Sequence, residues 1–273
     1  MKINYIIDFI KNLNGTDLSI YDDSFLDKTL QKRITETNCG TVDDYCRFIK
    51  QNTGEIEILL NSLHISYSEF FRNPLTFAVL EQIILPSLGM KIKNTSRKEV
   101  RVWSAACAAG QEAYSLAILM EELKNRNNKE FICRIFATDQ SHPVIEEAEN
   151  GRFPENALNN VDLKRVKQWF TKDGDIYSVN QILKESVSFS IFDLFNEKLS
   201  SPSASIFGDF DLVLCANLLF YYNDEYRNII IKKAVNSLAV GGYLITGETE
   251  REILMNHKLH EVYPMSGIFQ VRL

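Results

Sequence analysis

Three observations in the sequence predict an α/β fold, a doubly wound, mostly parallel sheet, with a small helical N-terminal domain. First, Val100 to Asp139 reads as strand, small-residue turn, helix, strand and acid. That order is the nucleotide-binding half of such a sheet, where a ligand lies across the carboxyl ends of the strands and the acid meets a ribose hydroxyl. Second, apolar residues from Ile3 to about Leu88 recur at helical spacing. Third, strands and helices alternate beyond the polar, basic stretch Lys91–Lys98, the mark of a largely parallel sheet with helices on both faces. The expected division is a helical domain with the start of a linker over 1–88 and an α/β domain over 89–273.

In the helical part, Ile6, Phe9, Ile10 and Leu13 share one face. Phe25, Leu26, Leu30 and Ile34 form a second stripe, Tyr45, Phe48 and Ile49 a third, and Ile56 to Leu63 a fourth. Breaks at Asn14-Gly15, Cys39-Gly40 and Thr53-Gly54 each predict a helix end with glycine just past it. In the α/β part, Val187–Ile191, Asp211–Cys215 and Gly242–Thr246 read as strands, each ending in polar or turn residues where a parallel sheet has its ligand crevice. Leu199–Ser205 reads as a surface loop, and the apolar segment after Gly267 as an antiparallel edge strand.

Composition narrows the function. With 273 residues, 45% hydrophobic and 24% charged, the chain matches an ordinary globular protein of one large or two small domains. A net charge of −6 argues against non-specific nucleic-acid binding, which needs a basic face. Five cysteines, without CxxC spacing, predict reduced thiols and neither disulfide nor metal site. The N-terminal stretch lacks the apolar core of a signal peptide, and no run approaches the ~18–20 apolar residues that span a bilayer. The expectation is a cytoplasmic protein with no membrane insertion, acting as a monomer.

The turn after the first strand selects the ligand. A dinucleotide site wants G-x-G-x-x-G, but AACAAGQE offers only Gly110, with Ala106 and Ala108 nearest the other glycine positions. S-adenosylmethionine carries no phosphate, so it tolerates a turn of small residues, and its adenosine keeps the ribose diol that Asp139 would bind. The other reading of Asp139 is a cap for the helix starting near Ser141.

Several motifs then follow in order. They are Ser68-Glu69-Phe70-Phe71-Arg72-Asn73-Pro74, Val102-Trp103-Ser104-Ala105 with Gly110-Gln111-Glu112-Ala113-Tyr114-Ser115, Ala137-Thr138-Asp139, Cys215-Ala216-Asn217 through to Tyr221, and Gly247-Glu248-Thr249-Glu250. In these the chain resembles, over nearly all its length, the chemotaxis receptor glutamate O-methyltransferase (CheR-type) family. The resemblance implies a class I methyltransferase, Rossmann-like, with a helical N-terminal domain and a small antiparallel β subdomain, here at about 150–190. It implies transfer of a methyl group from S-adenosylmethionine to glutamate carboxylates of a chemoreceptor's cytoplasmic helical bundle, leaving S-adenosylhomocysteine.

Carried over residue by residue, the resemblance implies cofactor contacts from Ser66, Ser68, Arg72, Gly110, Glu112, Asp139, Asp193, Leu194, Asn217 and Leu218. It gives Arg72 and Tyr221 roles at the acceptor carboxylate. Where the family has Asn and Thr, this chain has Ser66 and Ser68; Gln111 replaces the first acid of the turn and Asp193 an asparagine, and Ala216 stands in place of an arginine. These departures leave two alternatives: the same fold with another acceptor, or a cofactor-binding signalling module without catalysis. The resemblance also implies receptor docking through the N-terminal helices and the small subdomain, with the basic face of the second helix here carrying Lys28, Lys32 and Arg33. A glutamate acceptor is already ionised at neutral pH, so the reaction asks for no histidine base, and none of the four histidines falls in a motif.

Overall fold

The computed structural model of the chain describes residues 3–64, 66–93, 98–127, 131–205, 208–257 and 259–271. It divides into two compact units, residues 1–65 with 219–229, and residues 66–218 with 230–273.

The first unit packs α1 (Ile3–Asn14), α2 (Asp23–Glu36), α3 (Val42–Gln51) and α4 (Gly54–Leu63) through the apolar stripes expected from spacing: Ile6 and Ile10, Leu26 and Leu30, Tyr45 and Ile49, Leu59 and Leu63 are all buried. Asp22 starts α2 by accepting from the Ser24 and Phe25 amides, and Thr41 starts α3 by accepting from Asp44. Only one of the three expected glycine stops works as such: Gly15, at φ +82°, donates to the Lys11 carbonyl. Asn38, at φ +55°, takes the left-handed position after α2, and Gly54 opens α4 instead of closing α3. Residues 219–229 add a 3₁₀ turn (Leu219–Tyr221) and the first turns of the helix Asp224–Asn236; there Arg227 donates to Asp22 at 3.1 Å and Tyr222 stacks on Tyr21 at 5.5 Å.

The second unit is built on a seven-stranded sheet. Its strands are β1 (Glu99–Ala105), β2 (Ile132–Asp139), β6 (Val187–Ile191), β7 (Phe210–Leu214), β8 (Leu238–Ile245), β9 (Leu259–Glu261) and β10 (Ile268–Val271), in the order β6-β2-β1-β7-β8-β10-β9. The first five in that order run parallel, and β10 is antiparallel to both its neighbours. The final strand is therefore not the edge expected from sequence, because the short β9 covers it. The order reverses between β1 and β7, the switch point where a doubly wound sheet opens its ligand crevice. Helices α7 (Gln111–Asn127) and α8 (His142–Asn150) follow β1 and β2.

Residues 66–88, grouped above with the helical domain, belong to this second unit. There α5 (Pro74–Val79), a π turn (Leu80–Ile84) and α6 (Leu85–Lys93) bury Phe77, Leu80, Ile84 and Leu88 in the core of the sheet. The π turn ends two residues before Pro86, whose ring would meet the carbonyl four residues back in a regular α-helix. A second sheet, β3 (Arg152–Pro154), β5 (Ile176–Val179) and β4 (Phe170–Asp173) in that order, is antiparallel throughout. With α9 (Leu163–Trp169) it forms the small subdomain expected at about 150–190. No described helix is long and apolar enough to cross a membrane.

Candidate active site

The turn from β1 into α7 is held in a conformation that usually calls for glycine. Ala106 (φ +56°), Ala108 (φ +47°) and Gly110 (φ +87°) all sit in the left-handed region. Alanine there is strained by roughly 1–2 kcal/mol per residue, so the surroundings must impose the shape. They do so through the Cys107 amide, which donates to the Thr138 carbonyl at 2.8 Å, and the Ala108 amide, which donates to Asp139 Oδ2 at 3.1 Å. At Gly110 a Cβ would lie 3.1 Å from Ala148 Cβ and from the Phe189 ring, so its bare Cα serves close packing against α8 and β6.

Glu112 lies in the first turn of α7, where the helix dipole favours an acid. It is only 7% exposed and makes no hydrogen bond with the described residues. Burial pushes its carboxyl up to about 7; Glu250 and Glu69 add to the rise, and Arg72 opposes it. Segment 66–72 is fastened over this turn: the Phe71 amide, at φ +49°, donates to Ser115 Oγ at 3.0 Å, and Ser115 Oγ donates to the Gln111 carbonyl at 2.7 Å. Phe70 anchors the segment edge-on between Phe153 and Phe170 of the small subdomain, and the Arg165 guanidinium lies 4.9 Å from the Phe71 ring centre.

Arg72 is half-buried and forms no ion pair among the described residues. Its guanidinium lies 5.2 Å from the Tyr67 ring centre and donates to the Tyr67 carbonyl at 3.4 Å, while the Tyr67 hydroxyl donates to Glu69. Ser66 is exposed, whereas Ser68 is buried and its hydroxyl has no partner among the described residues. Gln111 Oε1 and Asn217 Nδ2 are likewise buried without partners. Buried polar atoms are paired in nearly all proteins, so these three orphans and a carboxylate that accepts nothing among the described residues are candidates for contacts to a polar ligand; Asp27, Arg101 and His260 carry the other such atoms.

Asp139 ends β2 with both oxygens engaged, Oδ2 by the Ala108 amide and Oδ1 by the Ser141 amide at 3.0 Å. It thus ties the turn and starts α8, and each oxygen keeps a lone pair for a further donor. Asp193, after β6, is exposed and accepts from the Phe195 amide at 2.8 Å in an Asx turn, while Leu194 is buried. Asn217 follows β7 at φ +59°, with Leu218 half-buried beside it in sequence. Ala216 is buried in the apolar core. Tyr221 belongs to the first unit, where its ring packs on Phe25 at 4.8 Å and on Phe220 at 4.2 Å.

The second unit thus brings Ser68, Arg72, Gly110, Glu112, Asp139 and Asn217 to segments bordering the switch point, while Tyr221 is grouped with the helices. Glu250, given no role by sequence reasoning, is fully buried and accepts at one oxygen from Asn217, Thr246 and Gly247. Its signal in the sequence was its place in the motif Gly247-Glu248-Thr249-Glu250 after the last long strand.

This donor and acceptor set fits S-adenosylmethionine. Glu112 suits an ammonium, Asp139 a ribose diol, and the orphaned serine, glutamine and asparagine atoms the remaining polar groups. Residues 66–266 match the family model described as CheR methyltransferase, SAM binding domain, and residues 1–64 match CheR methyltransferase, all-alpha domain. A chemotaxis protein methyltransferase of Borreliella burgdorferi is 29% identical over 266 residues, covering 96% of this chain and 92% of the relative. One from Listeria innocua is 25% identical over 268 residues, covering 98% and 96%. Chemotaxis protein methyltransferase 1 of Pseudomonas aeruginosa is 27% identical over 247 residues, covering 89% and 87%. The chain belongs to the CheR methyltransferase family, the S-adenosylmethionine-dependent protein-glutamate O-methyltransferases.

Proposed function

We propose that the chain methylates glutamate side chains on the cytoplasmic helical bundle of a chemoreceptor, acting as a monomer in the cytoplasm. The observation that carries the reading is Glu112, buried without a partner at the mouth of the switch point and raised to about 7 by burial. A carboxylate left in that state is stabilised by a cation that arrives with the ligand. S-adenosylmethionine, when bound, supplies a methyl group activated on a sulfonium. Glu112 receives the ammonium of its amino-acid part, and Asp139 receives the ribose hydroxyls on its spare lone pairs. Ser66 and Ser68 line the pocket from the segment before Arg72, Asp193 and Leu194 border the adenine, and Asn217 and Leu218 close the carboxyl end of β7.

The acceptor needs positioning more than activation. A glutamate with an ordinary pKa of ~4.3 is already the nucleophile at neutral pH, so the protein has to orient it and strip water from it. Arg72 has the planar fork that holds a carboxylate through two parallel hydrogen bonds, and its guanidinium is not consumed by an ion pair among the described residues. For receptor docking, Lys28 and Lys32 are exposed on α2. Arg33 is withdrawn from that role, because it forms a two-point pair with the buried Glu55 at 2.9 and 2.7 Å.

Transfer of labelled methyl to cognate receptor membranes tests the reading. Wild type is expected to label glutamates, and Arg72→Ala to lose about 10²-fold in rate, the scale of removing a positioned charge at a reacting centre. Unchanged transfer by Arg72→Ala would refute its role. Labelling of another residue type would refute the acceptor.

A further inference from the structure

Glu250 is buried completely. Its Oε2 accepts three hydrogen bonds, from the Asn217 amide at 2.7 Å, Thr246 Oγ1 at 2.9 Å and the Gly247 amide at 3.0 Å. These donors come from the ends of two adjacent parallel strands, so one carboxylate oxygen ties the β7 loop to the β8 loop. The tie holds Asn217 in the left-handed conformation, at φ +59°. Gly247 completes the clamp by close approach: a Cβ there would lie 2.8 Å from Asn217 Oδ1 and 3.0 Å from the Asn217 amide nitrogen. With its backbone fixed and its Oδ1 edge against Gly247, Asn217 is left with a buried Nδ2 that finds no acceptor among the described residues.

A stabilising clamp alone has no reason to strand a donor. An orphaned buried amide costs about 1–3 kcal/mol, and a fold that needed only to join two loops would turn it to a carbonyl or to water. We propose that Glu250 is a positioning residue of the cofactor site, which fixes the Asn217 backbone so that Nδ2 is presented to an acceptor atom on the bound S-adenosylmethionine. Glu250 also acts at a distance. Burial raises the Glu112 carboxyl, and the negative charge of Glu250 raises it further, as does Glu69, against Arg72; the buried thiols of Cys107 and Cys215 complete the titratable surroundings of Glu112. One buried acid therefore braces the asparagine and adds, after burial, to the raised proton affinity of the glutamate, and both serve the same ligand.

This inference rests on the reading of Glu112 and Asn217 as cofactor contacts, and calorimetry with S-adenosylmethionine across pH separates the two. Wild type defines the affinity and the pH at which binding reaches its plateau. Glu250→Gln keeps an oxygen that accepts from the three donors but loses the charge. It is expected to retain binding within about threefold, with the plateau reached at lower pH than in wild type, because removing a neighbouring negative charge lowers the Glu112 carboxyl. Gly247→Ala leaves Glu250 intact and displaces the Asn217 side chain. It is expected to weaken binding by about tenfold or more, the scale of one lost buried hydrogen bond to a ligand, with the pH midpoint unchanged. If both variants bind as wild type does at every pH, Glu250 is structural only and the proposal falls. A wild type that shows no binding would overturn the site itself. Glu250→Ala is not used, since its loss of three hydrogen bonds would confound folding with binding.

Discussion

Glu55 in the helical unit and Glu112 in the α/β unit occupy the same place in their helices, the second residue of α4 and of α7, and they are 4% and 7% exposed. The helix dipole favours a negative charge at both. Their partners differ. Glu55 accepts from Arg33 Nε and Nη2 at 2.9 and 2.7 Å and from the Tyr45 hydroxyl at 2.7 Å. Glu112 accepts from nothing described and is raised to about 7. Burial by itself says little about a carboxylate's work. A buried acid whose lone pairs are filled by its own fold is a fastener, and one left empty beside other orphaned polar atoms is a receptor for something the fold does not contain.

That contrast can be broken most forcefully at Glu55. Glu55→Ala leaves Arg33 and Tyr45 without their shared partner, and a broken buried pair costs about 3–5 kcal/mol. Urea or thermal unfolding should show a loss of that size, with the affinity of the remaining folded protein for S-adenosylmethionine preserved. A negligible loss would mean that the fastener is not one.

Glu112→Gln should act in the opposite direction on stability. A carboxyl raised from its ordinary range to about 7 adds stability to the unliganded protein at low pH, and that stability is lost as pH rises through about 7. At pH 8 the wild type therefore holds an ion in a place without partners, and the neutral glutamine does not. The variant should be more stable than wild type there by on the order of 1–3 kcal/mol, with the gap closing toward pH 5. Equal stability at both pH values would remove the distinction between the two glutamates.

The smallest effect is expected on the surface. Replacing Lys28 and Lys32 together by alanine should weaken methyl transfer to receptor membranes only a few-fold, with the difference vanishing at high salt, as for exposed charges that steer association. A salt-independent loss would assign those residues to something other than docking.

Much of this was readable before any coordinates. Alternating strands and the turn around Gly110 place the ligand crevice because a parallel sheet can open only at its carboxyl ends. Val187–Ile191 was placed at both of its ends, and Asp211–Cys215 within one residue of the observed strand. The failures share a physical cause, a dependence on contacts remote in sequence. Arg33 looks like a free surface cation until Glu55, twenty-two residues on, claims it. Gly40 and Gly54 mark breaks, but a break does not say which side of it glycine serves; Asn38 closes α2 instead. Three-residue β9 is too short to show a period, so β10 looked like an edge. At the site, Arg72, Glu112 and Asp139 stood out through motif position. That Ser68, Gln111 and Asn217 carry orphaned atoms, and that Glu250 braces Asn217, emerges only when β7, β8 and the segment before α5 are brought together.

On the proposed function, Glu112 is kept empty for the ammonium of S-adenosylmethionine. The most direct measurement is the affinity for that cofactor by calorimetry between about pH 5.5 and 7.5, below the ~7.7–8.0 range in which an α-amino group loses its proton. Wild-type affinity should rise by close to tenfold per pH unit below about 7 and then level off, because one proton leaves Glu112 on binding. Glu112→Gln should bind at least about tenfold more weakly at the upper end, with no pH slope. A wild-type affinity that is flat across this window, or a glutamine variant that follows the wild-type curve, would contradict the account.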